Sequence, residues 1–481
     1  MSPTSSIGLK YSVPWSPSLS ERLRPVHNLL SVGIAVAVLA TVMACPRRVP
    51  LPVPEAGEAP LERALRALER TPADLILPRA SEAGYSLLTS YSAIDQALAS
   101  PLSLGPRAEA LGATLDAAHS PAEVLQATQA FLPGTEPPSP GFTESEPPKS
   151  PASVHQETPS EVIRSAAGKL LLGHLPETFR EALHDLVVLV EHNATRLDTC
   201  SKSGALRPPP FAAEEFFLER WAGQPRYRSH PTGMQEDFMR YAGDVDLTCI
   251  QTTGETLLEG LNSQLPALRS AAEELPEAGG AVIQLETSLG PLLIGSRGPD
   301  VYALDAFMTL DPGGDDLWTA GAGSNLGLPS PLSLALDLGG SDRYTCERVH
   351  CQGSGYGGVG ILVDLGEGND SYFAGSQSQG AGFLGLGVLW DEAGNDTYEA
   401  DSFGQGAGTL GIGLLLDSAG SDRALLRARG QGFAATGGAG LFVDMAGNDR
   451  RRIGLSAESP HGPLAGGGQG AAWGTRSLPW R

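Results

Sequence analysis

The sequence predicts an α+β multidomain chain, with an N-terminal helical region followed by a right-handed β-solenoid of about six coils, each 26–27 residues long. Three observations point there. Aspartates recur from Asp311 onward at spacings of 26, 27, 27, 26 and 27 residues. Of the 60 glycines, 42 lie between positions 281 and 481, so the two halves differ in material. Helix-start signals, by contrast, fall in the first half. With 481 residues the chain has room for roughly three domains of about 150 residues and can fill a core without metals or disulfides. Its net charge of −22 argues against nucleic acid as a partner, since a polyanion is repelled rather than bound.

The first 28 residues are polar and carry Lys10, Arg22, Arg24 and His27, and Leu29 to Ala44 then runs sixteen residues without a charge. A basic stretch followed by an apolar one, too short for a bilayer span of about 20 residues and closing on small side chains, predicts a signal peptide over 1–44. The residues Val42-Met43-Ala44-Cys45 resemble the lipobox of bacterial lipoproteins, with Met43 where a smaller residue is commoner. That resemblance implies cleavage before Cys45, a lipid on Cys45, and a membrane-anchored place in a bacterial cell envelope, in the periplasm or at the cell surface. Residues 45–59 then form a tether. The other cysteines, Cys200, Cys249, Cys346 and Cys351, are even in number, as disulfide pairing in an exported chain predicts. Of the three connectivities, Cys200 with Cys249 and Cys346 with Cys351 is favoured because each pair lies within one half of the chain. A metal held by Cys346, His350 and Cys351 is the alternative for the second pair, but it lacks a fourth ligand nearby.

Helices are expected over 60–133 and 161–280. Thr71-Pro72-Ala73-Asp74, Ser120-Pro121-Ala122-Glu123 and Thr158-Pro159-Ser160-Glu161 each set a hydroxyl cap, a proline at the first helical position and an acid at the third. Residues 134–160 hold seven prolines among Ser and Glu, too polar to bury anything, which predicts a disordered linker. The longest amphipathic stretch, Phe179 to Leu197, carries His184 and His192, and a solvated face explains them better than a metal site. Phe216, Phe217, Trp221, Tyr227, Phe238 and Tyr241 concentrate aromatic mass that is expected to plug the join between helices and repeats rather than line a ligand pocket.

The solenoid occupies 281–454 and leaves 455–481 as a C-terminal cap or tail. Each unit reads as an apolar triplet, an Asp, a Gly turn, a second Asp, an aromatic two residues on, and a polar stretch ending in Gln-Gly. The first column is Asp311, Asp337, Asp364, Asp391, Asp417 and Asp444, and the second is Asp316, Asp342, Asp370, Asp396, Asp422 and Asp449. Gln352, Gln379, Gln405 and Gln431 close the units, with Asn325 expected at the equivalent place in the opening one, and Gly298 to Tyr302 reads as a degenerate unit before it. So constant a period means one coil per unit, each stacked on its neighbours because it cannot bury its apolar face alone. Ile361-Leu362-Val363, Val388-Leu389-Trp390 and Leu414-Leu415-Leu416 are strand-like triplets bounded by turns. Stacking at about 4.8 Å should align Tyr302, Trp318, Tyr344, Tyr372 and Tyr398 in an aromatic ladder that lapses at Ala424 and Arg451, where Arg450-Arg451-Arg452 reads as a polar cap.

The Asp columns carry whatever chemistry the repeat has. Two carboxylates about 5 Å apart repel by roughly 3 kcal/mol at an effective dielectric near 20, so a stack of them requires relief. One remedy is Ca²⁺, a hard ion that takes carboxylate and carbonyl oxygens. The other, which the spacing of five favours, is for each Asp to accept N–H bonds across its own Gly turn. The turns Gly394-Asn395-Asp396 and Gly447-Asn448-Asp449 resemble those of the calcium-binding β-roll repeats of exported bacterial toxins, whose period is much shorter, so the likeness is confined to the turn. The repeat region as a whole resembles Gly- and Asp-rich repeat proteins of bacterial envelopes, which implies an architecture and no activity.

No nucleophile elbow, zinc-protease helix, phosphate loop or haem-attachment motif stands in the sequence. The function read from it is a non-catalytic, lipid-anchored envelope protein whose solenoid binds or scaffolds an envelope protein or polysaccharide. The alternative is a calcium-dependent carbohydrate-active enzyme, or a calcium-binding surface module. An enzyme of that kind would need irregular loops and a base, whereas 281–481 contains no lysine and nearly uniform units.

Overall fold

A computed structural model describes residues 104–128, 157–202, 206, 241–277, 281–435, 437–454, 469–470 and 472–473. Six α-helices come first: α1 (Leu104–Leu115), α2 (Pro121–Thr128), α3 (Pro159–Arg164), α4 (Ala166–Leu172), α5 (Glu177–Leu197) and α6 (Leu247–Ala272). Two of the three sequence-read starts are in place. Ser120 Oγ accepts from Glu123 N at the head of α2, and Thr158 with Glu161 forms a reciprocal capping box on α3. The signal at Thr71, the leader with Cys45, and Phe216 to Phe238 lie outside the described residues.

Helices α5 and α6 pack along each other and against the repeats. Two glycines of α6 allow it: a Cβ on Gly260 would stand 2.7 Å from Leu189 Cδ1 of α5, and one on Gly254 would stand 2.2 Å from Leu386 Cδ2 of the solenoid. Cys200, just past α5, and Cys249, in the first turn of α6, lie at disulfide distance with Cα atoms 5.3 Å apart. Tyr241 donates to Gly357 O and packs with Tyr356 and Phe383, so this member of the aromatic set does sit between the halves.

From Met308 to Ile453 the chain winds as a parallel β-solenoid of about six turns with three sheets. The first sheet stacks Met308–Asp311, Leu332–Asp337, Val359–Asp364, Leu386–Asp391, Ile412–Asp417 and Ala439–Asp444, all parallel. Its N-terminal side is extended by an antiparallel hairpin, Ile283–Thr287 with Gly290–Ile294, so the edge strand there is the short Ile283–Thr287. The second sheet runs from Val301–Tyr302 through Leu317–Trp318, Arg343–Cys346, Ser371–Ala374, Thr397–Ser402 and Arg423–Ala428 to Arg450–Ile453. The third stacks the two-residue strands Gly355–Tyr356, Gly382–Phe383, Gly408–Thr409, Ala434–Ala435 and Ala472–Trp473. The last of these, with Gln469 and Gly470 bonded to Gly430 O and Gln431 O, carries the coil pattern into what the sequence assigned to the tail.

From Met308–Asp311 to Ile412–Asp417 the first sheet is buried on both faces, which is why these strands read as unbroken apolar triplets rather than alternating ones. Leu334, Leu336, Ile361, Val363, Val388, Trp390, Leu414 and Leu416 join the helices in one core. Ala335, Leu362, Leu389 and Leu415 point the other way, into a second core with the aromatic ladder. That ladder is as expected: rings from Tyr302 through Trp318, Tyr344 and Tyr372 to Tyr398 stack at centroid distances of 4.0, 5.4, 4.7 and 4.9 Å. One sequence equivalence fails. Gln352 N and Gly353 N bond to Gly321 O and Ala322 O, so the residue beneath Gln352 is Ala322 and not Asn325. The opening coil is shorter after its aromatic residue, and Asn325 instead ties its own loop to Tyr356.

Tight stacking makes the glycines of the Asp turns obligatory. A Cβ on Gly340 would stand 1.6 Å from Gly314 O, a backbone atom fixed by the coil before it. Gly340→Ala is therefore expected to destabilise by about 3 kcal/mol or more, whereas Gly112→Ala on α1, where a Cβ meets nothing within 4 Å, should be neutral or stabilising by up to about 1 kcal/mol. Chemical denaturation of the two variants checks the contrast.

Candidate metal centre

The site lies at the corner where the first sheet turns into the second. Each long strand ends on a first-column Asp, and because side chains alternate, this Asp points inward with Leu362 and its equivalents. A Gly turn follows, and the second-column Asp enters the next strand. Asp300 and the ten column aspartates from Asp311 to Asp422 are buried, whereas Asp444 and Asp449 in the last coil are partly exposed.

The second column is held from coil to coil. The backbone N–H of Asp300 donates to Asp316 Oδ1 at 2.6 Å, Asp316 to Asp342 at 2.6 Å, Asp342 to Asp370 at 2.5 Å and Asp370 to Asp396 at 2.6 Å. Asp396 continues to Asp422 at 2.8 Å and Asp422 to Asp449 at 3.1 Å. This corrects the expectation of self-contained Asx turns. Among the described residues the bond within the turn forms at Asp300, from Ser296 N, at Asp311, from Gly313 N, and at Asp337, from Gly339 N, and at none of the later column aspartates. The turn N–H of the second Asp points along the solenoid axis, so its acceptor is the next coil's carboxylate.

The first column takes its donors from the aromatic ladder. Tyr302 Oη donates to Asp311 Oδ2, Tyr344 to Asp337, and Tyr398 to Asp417 at 2.8 Å; Tyr372 Oη lies 2.6 Å from Asp364 and 2.7 Å from Asp391, and its single proton serves one of the two while the other carboxyl can return a proton to it. Burial, then the surrounding carboxylates, raise the pKa of each of these tyrosines, so they stay protonated and donate. Sequence reading placed the ladder and missed this bond, although an aromatic with a hydroxyl at four of five positions was the signal. At the last coil Arg451 replaces the tyrosine. Its guanidinium lies 4.2 Å from the centre of the Phe442 ring and pairs with Asp444 Oδ2 at 2.7 Å.

The two columns meet in triads. Asp300/Asp311/Asp316, Asp316/Asp337/Asp342, Asp342/Asp364/Asp370, Asp370/Asp391/Asp396 and Asp396/Asp417/Asp422 each bring one carboxylate oxygen per residue within 4.8 Å of the others. Asp316 Oδ2, Asp342 Oδ2, Asp396 Oδ2, Asp417 Oδ1 and Asp422 Oδ2 are buried without a hydrogen-bond partner in the protein. The hydrogen bonds therefore satisfy one oxygen of these groups and leave the other. Burial first, and neighbouring carboxylates after it, push the pKa of Asp342 up to about 11, of Asp370 and Asp417 to about 8, of Asp396 to about 7, and of Asp364 to about 6. Asp311, Asp337 and Asp391 are raised well above the usual range by the same burial.

The other sequence candidates resolve simply. Cys346 and Cys351 lie at disulfide distance with Cα atoms 6.3 Å apart, which removes the metal reading there. His350 beside them is buried, its pKa lowered by that burial to about 3, with Nδ1 on Ser354 Oγ. His184 faces Asp185, and His192 lines a surface groove with Ser160 and Glu191. The glutamine column is a backbone staple: Nε2 of Gln352 donates to Tyr344 O and to Phe373 O one coil on, and Gln379 and Gln405 repeat the pattern. Comparison with family models, with curated proteins and with solved structures gives no match.

A carboxyl group whose folded pKa is raised binds its proton more tightly when folded. Its stabilising effect is whole below the unfolded value near 4 and is lost as pH rises through the folded value. In chelator, the melting temperature is therefore expected to fall as pH rises from 6 to 8, the window set by Asp364, Asp396, Asp370 and Asp417. Thermal melts across that range read it directly, and a flat or rising profile would contradict the burial of these acids. Tyr372→Phe should steepen the fall and cost about 1–3 kcal/mol at neutral pH, because two buried carboxyl groups lose the hydroxyl they share.

Proposed function

We propose that this chain is an exported, lipid-anchored protein of a bacterial envelope whose solenoid serves as a rigid, non-catalytic surface for binding or scaffolding. The observation that carries the reading is the asymmetry of the faces. The first sheet lies beneath α5 and α6, while the second turns a registered set of side chains outward: Arg343 and Thr345, Ser371 and Phe373, Thr397 and Glu399, Arg423 and Leu425. On that face a groove of about 530 Å³ is lined by Arg343, Thr345, Glu347, Phe373, Glu399 and Asp401. Its mixture of one aromatic ring, a guanidinium and several acids suits a polar partner such as a polysaccharide or a protein of the envelope. Two cysteine pairs at disulfide distance support an oxidising compartment.

The buried position of the Asp columns weighs against the carbohydrate-active alternative. A general acid or base has to reach substrate, and these carboxylates face the interior with their oxygens on tyrosine hydroxyls and backbone N–H groups.

Binding to isolated envelope fractions tests the surface. Phe373→Ala combined with Arg343→Ala is expected to weaken retention severalfold without moving the melting temperature, and the wild type should shorten no polysaccharide in the fraction. Unchanged retention, or depolymerisation in the presence of calcium, would overturn the reading. For the anchor, growth with a labelled fatty acid should mark the wild-type chain and leave Cys45→Ser unmarked.

A further inference from the structure

We infer that the interior corner of the solenoid is a row of calcium sites, one ion in each aspartate triad, with every ion bridging two adjacent coils. Three observations meet there. The triads gather only oxygen donors, within 4.8 Å of one another, from two consecutive turns. Asp316, Asp342, Asp396, Asp417 and Asp422, exposed by only 3, 2, 1, 1 and 5 %, each keep a carboxylate oxygen with no partner in the protein. At the end of the row the fold supplies a cation itself, the guanidinium of Arg451 on Asp444. Among the described residues no Lys or Arg reaches the aspartates before it.

Charge and geometry choose the ion. The five triads named above contain eleven different aspartates, and five divalent ions would supply ten positive charges, so these triads come within one charge of balance. Thiolate and imidazole are missing from the triads, which disfavours the softer transition metals. Mg²⁺ demands near-ideal octahedral geometry at about 2.0–2.1 Å and keeps several waters, which carboxylates fixed to a rigid backbone and shut away from solvent do not provide. Ca²⁺ accepts irregular sets of six to eight oxygens at about 2.3–2.6 Å, including bridging carboxylates and backbone carbonyls. The second-column Asp is built for bridging: one oxygen takes the N–H of the preceding coil, and the other remains for the metal. Asp316, Asp342, Asp370 and Asp396 each belong to two triads, so each would touch two ions.

The test uses the full chain, stripped with EDTA at pH 8 and dialysed against CaCl₂ or MgCl₂. Metal analysis after removal of free ion is expected to find about five calcium ions per chain, and the melting temperature should climb with free calcium far more than with magnesium. Terbium, used as a calcium substitute, should luminesce on excitation of the ladder tyrosines, whose hydroxyls touch the same carboxylates. Asp396→Asn keeps an oxygen for the Asp370 N–H but gives up a shared ligand, so it should lose two ions. Asp305→Asn, which lies outside the columns and pairs with Arg348, should lose none. Asp316→Asn at the other end of the row repeats the measurement should Asp396→Asn not fold. Fewer than two ions in the wild type, equal binding by the Asp316→Asn or Asp396→Asn chain and the wild type, or melting indifferent to chelator would overturn the proposal and leave shared protons as what relieves the column.

Discussion

Everything in the second half of this molecule follows from stacking one coil on the next at the spacing of a β-sheet. At about 4.8 Å per step, whatever stands at one position in a coil meets its own kind above and below. For leucine and tyrosine that is favourable, and cores and ring stacks follow. For aspartate it is unfavourable, since like charges in a low-dielectric interior repel across several steps of the column. The corner of the solenoid is organised around that repulsion: tyrosine hydroxyls serve the first column, coil-to-coil N–H groups serve the second, and the oxygens left over face one another.

The helical half is an integral part of the same object. Because α6 lies in a seat made by Gly254 against Leu386, and α5 in one made by Gly260 against Leu189, the apolar outer face of the first sheet is covered rather than displayed. The Cys200–Cys249 pair ties the end of one helix to the start of the other just where they reach the solenoid. Among the described residues the second sheet remains open, and its outer columns change identity from coil to coil while its inner Tyr344, Tyr372 and Tyr398 repeat. Regularity inside and variety outside is the division expected when the interior is constrained by stacking and the exterior is free to meet a partner.

Much of this was legible in the residues. The period alone gave the coil, the aromatic ladder and both Asp columns, because a solenoid writes its geometry directly into spacing. The direction of individual N–H groups was not legible. The spacing pointed to Asp316 and Asp342 as acceptors within their own turns, and only the backbone path shows that they accept across coils. Asn325 was misplaced by counting residues from the aromatic position through a connection that is shorter in the opening coil. The covering helices had a signal that was passed over: triplets such as Ile361-Leu362-Val363 have no polar alternate, and a strand without one is buried on both sides. Arg450–Arg452 are exposed as a polar cap requires, but that Arg451 also pairs with Asp444 could not be read without knowing that the first-column Asp points inward.

The two ends of the solenoid are closed by unequal means. At the first coil an antiparallel hairpin and the packed helices shield the sheet, and Met308–Asp311 and Leu332–Asp337 are buried throughout. At the last described coil Ala439–Asp444 is only partly covered along its whole length, and Arg450–Arg452 stand in solvent. In a one-dimensional array each unit is stabilised by its neighbours, so the unit with the least cover opens at the least cost and exposes the next. Among the described residues the array is thus covered at one end and open at the other, and the coil of Ala439–Asp444 and Arg450–Ile453 is the one whose opening costs least.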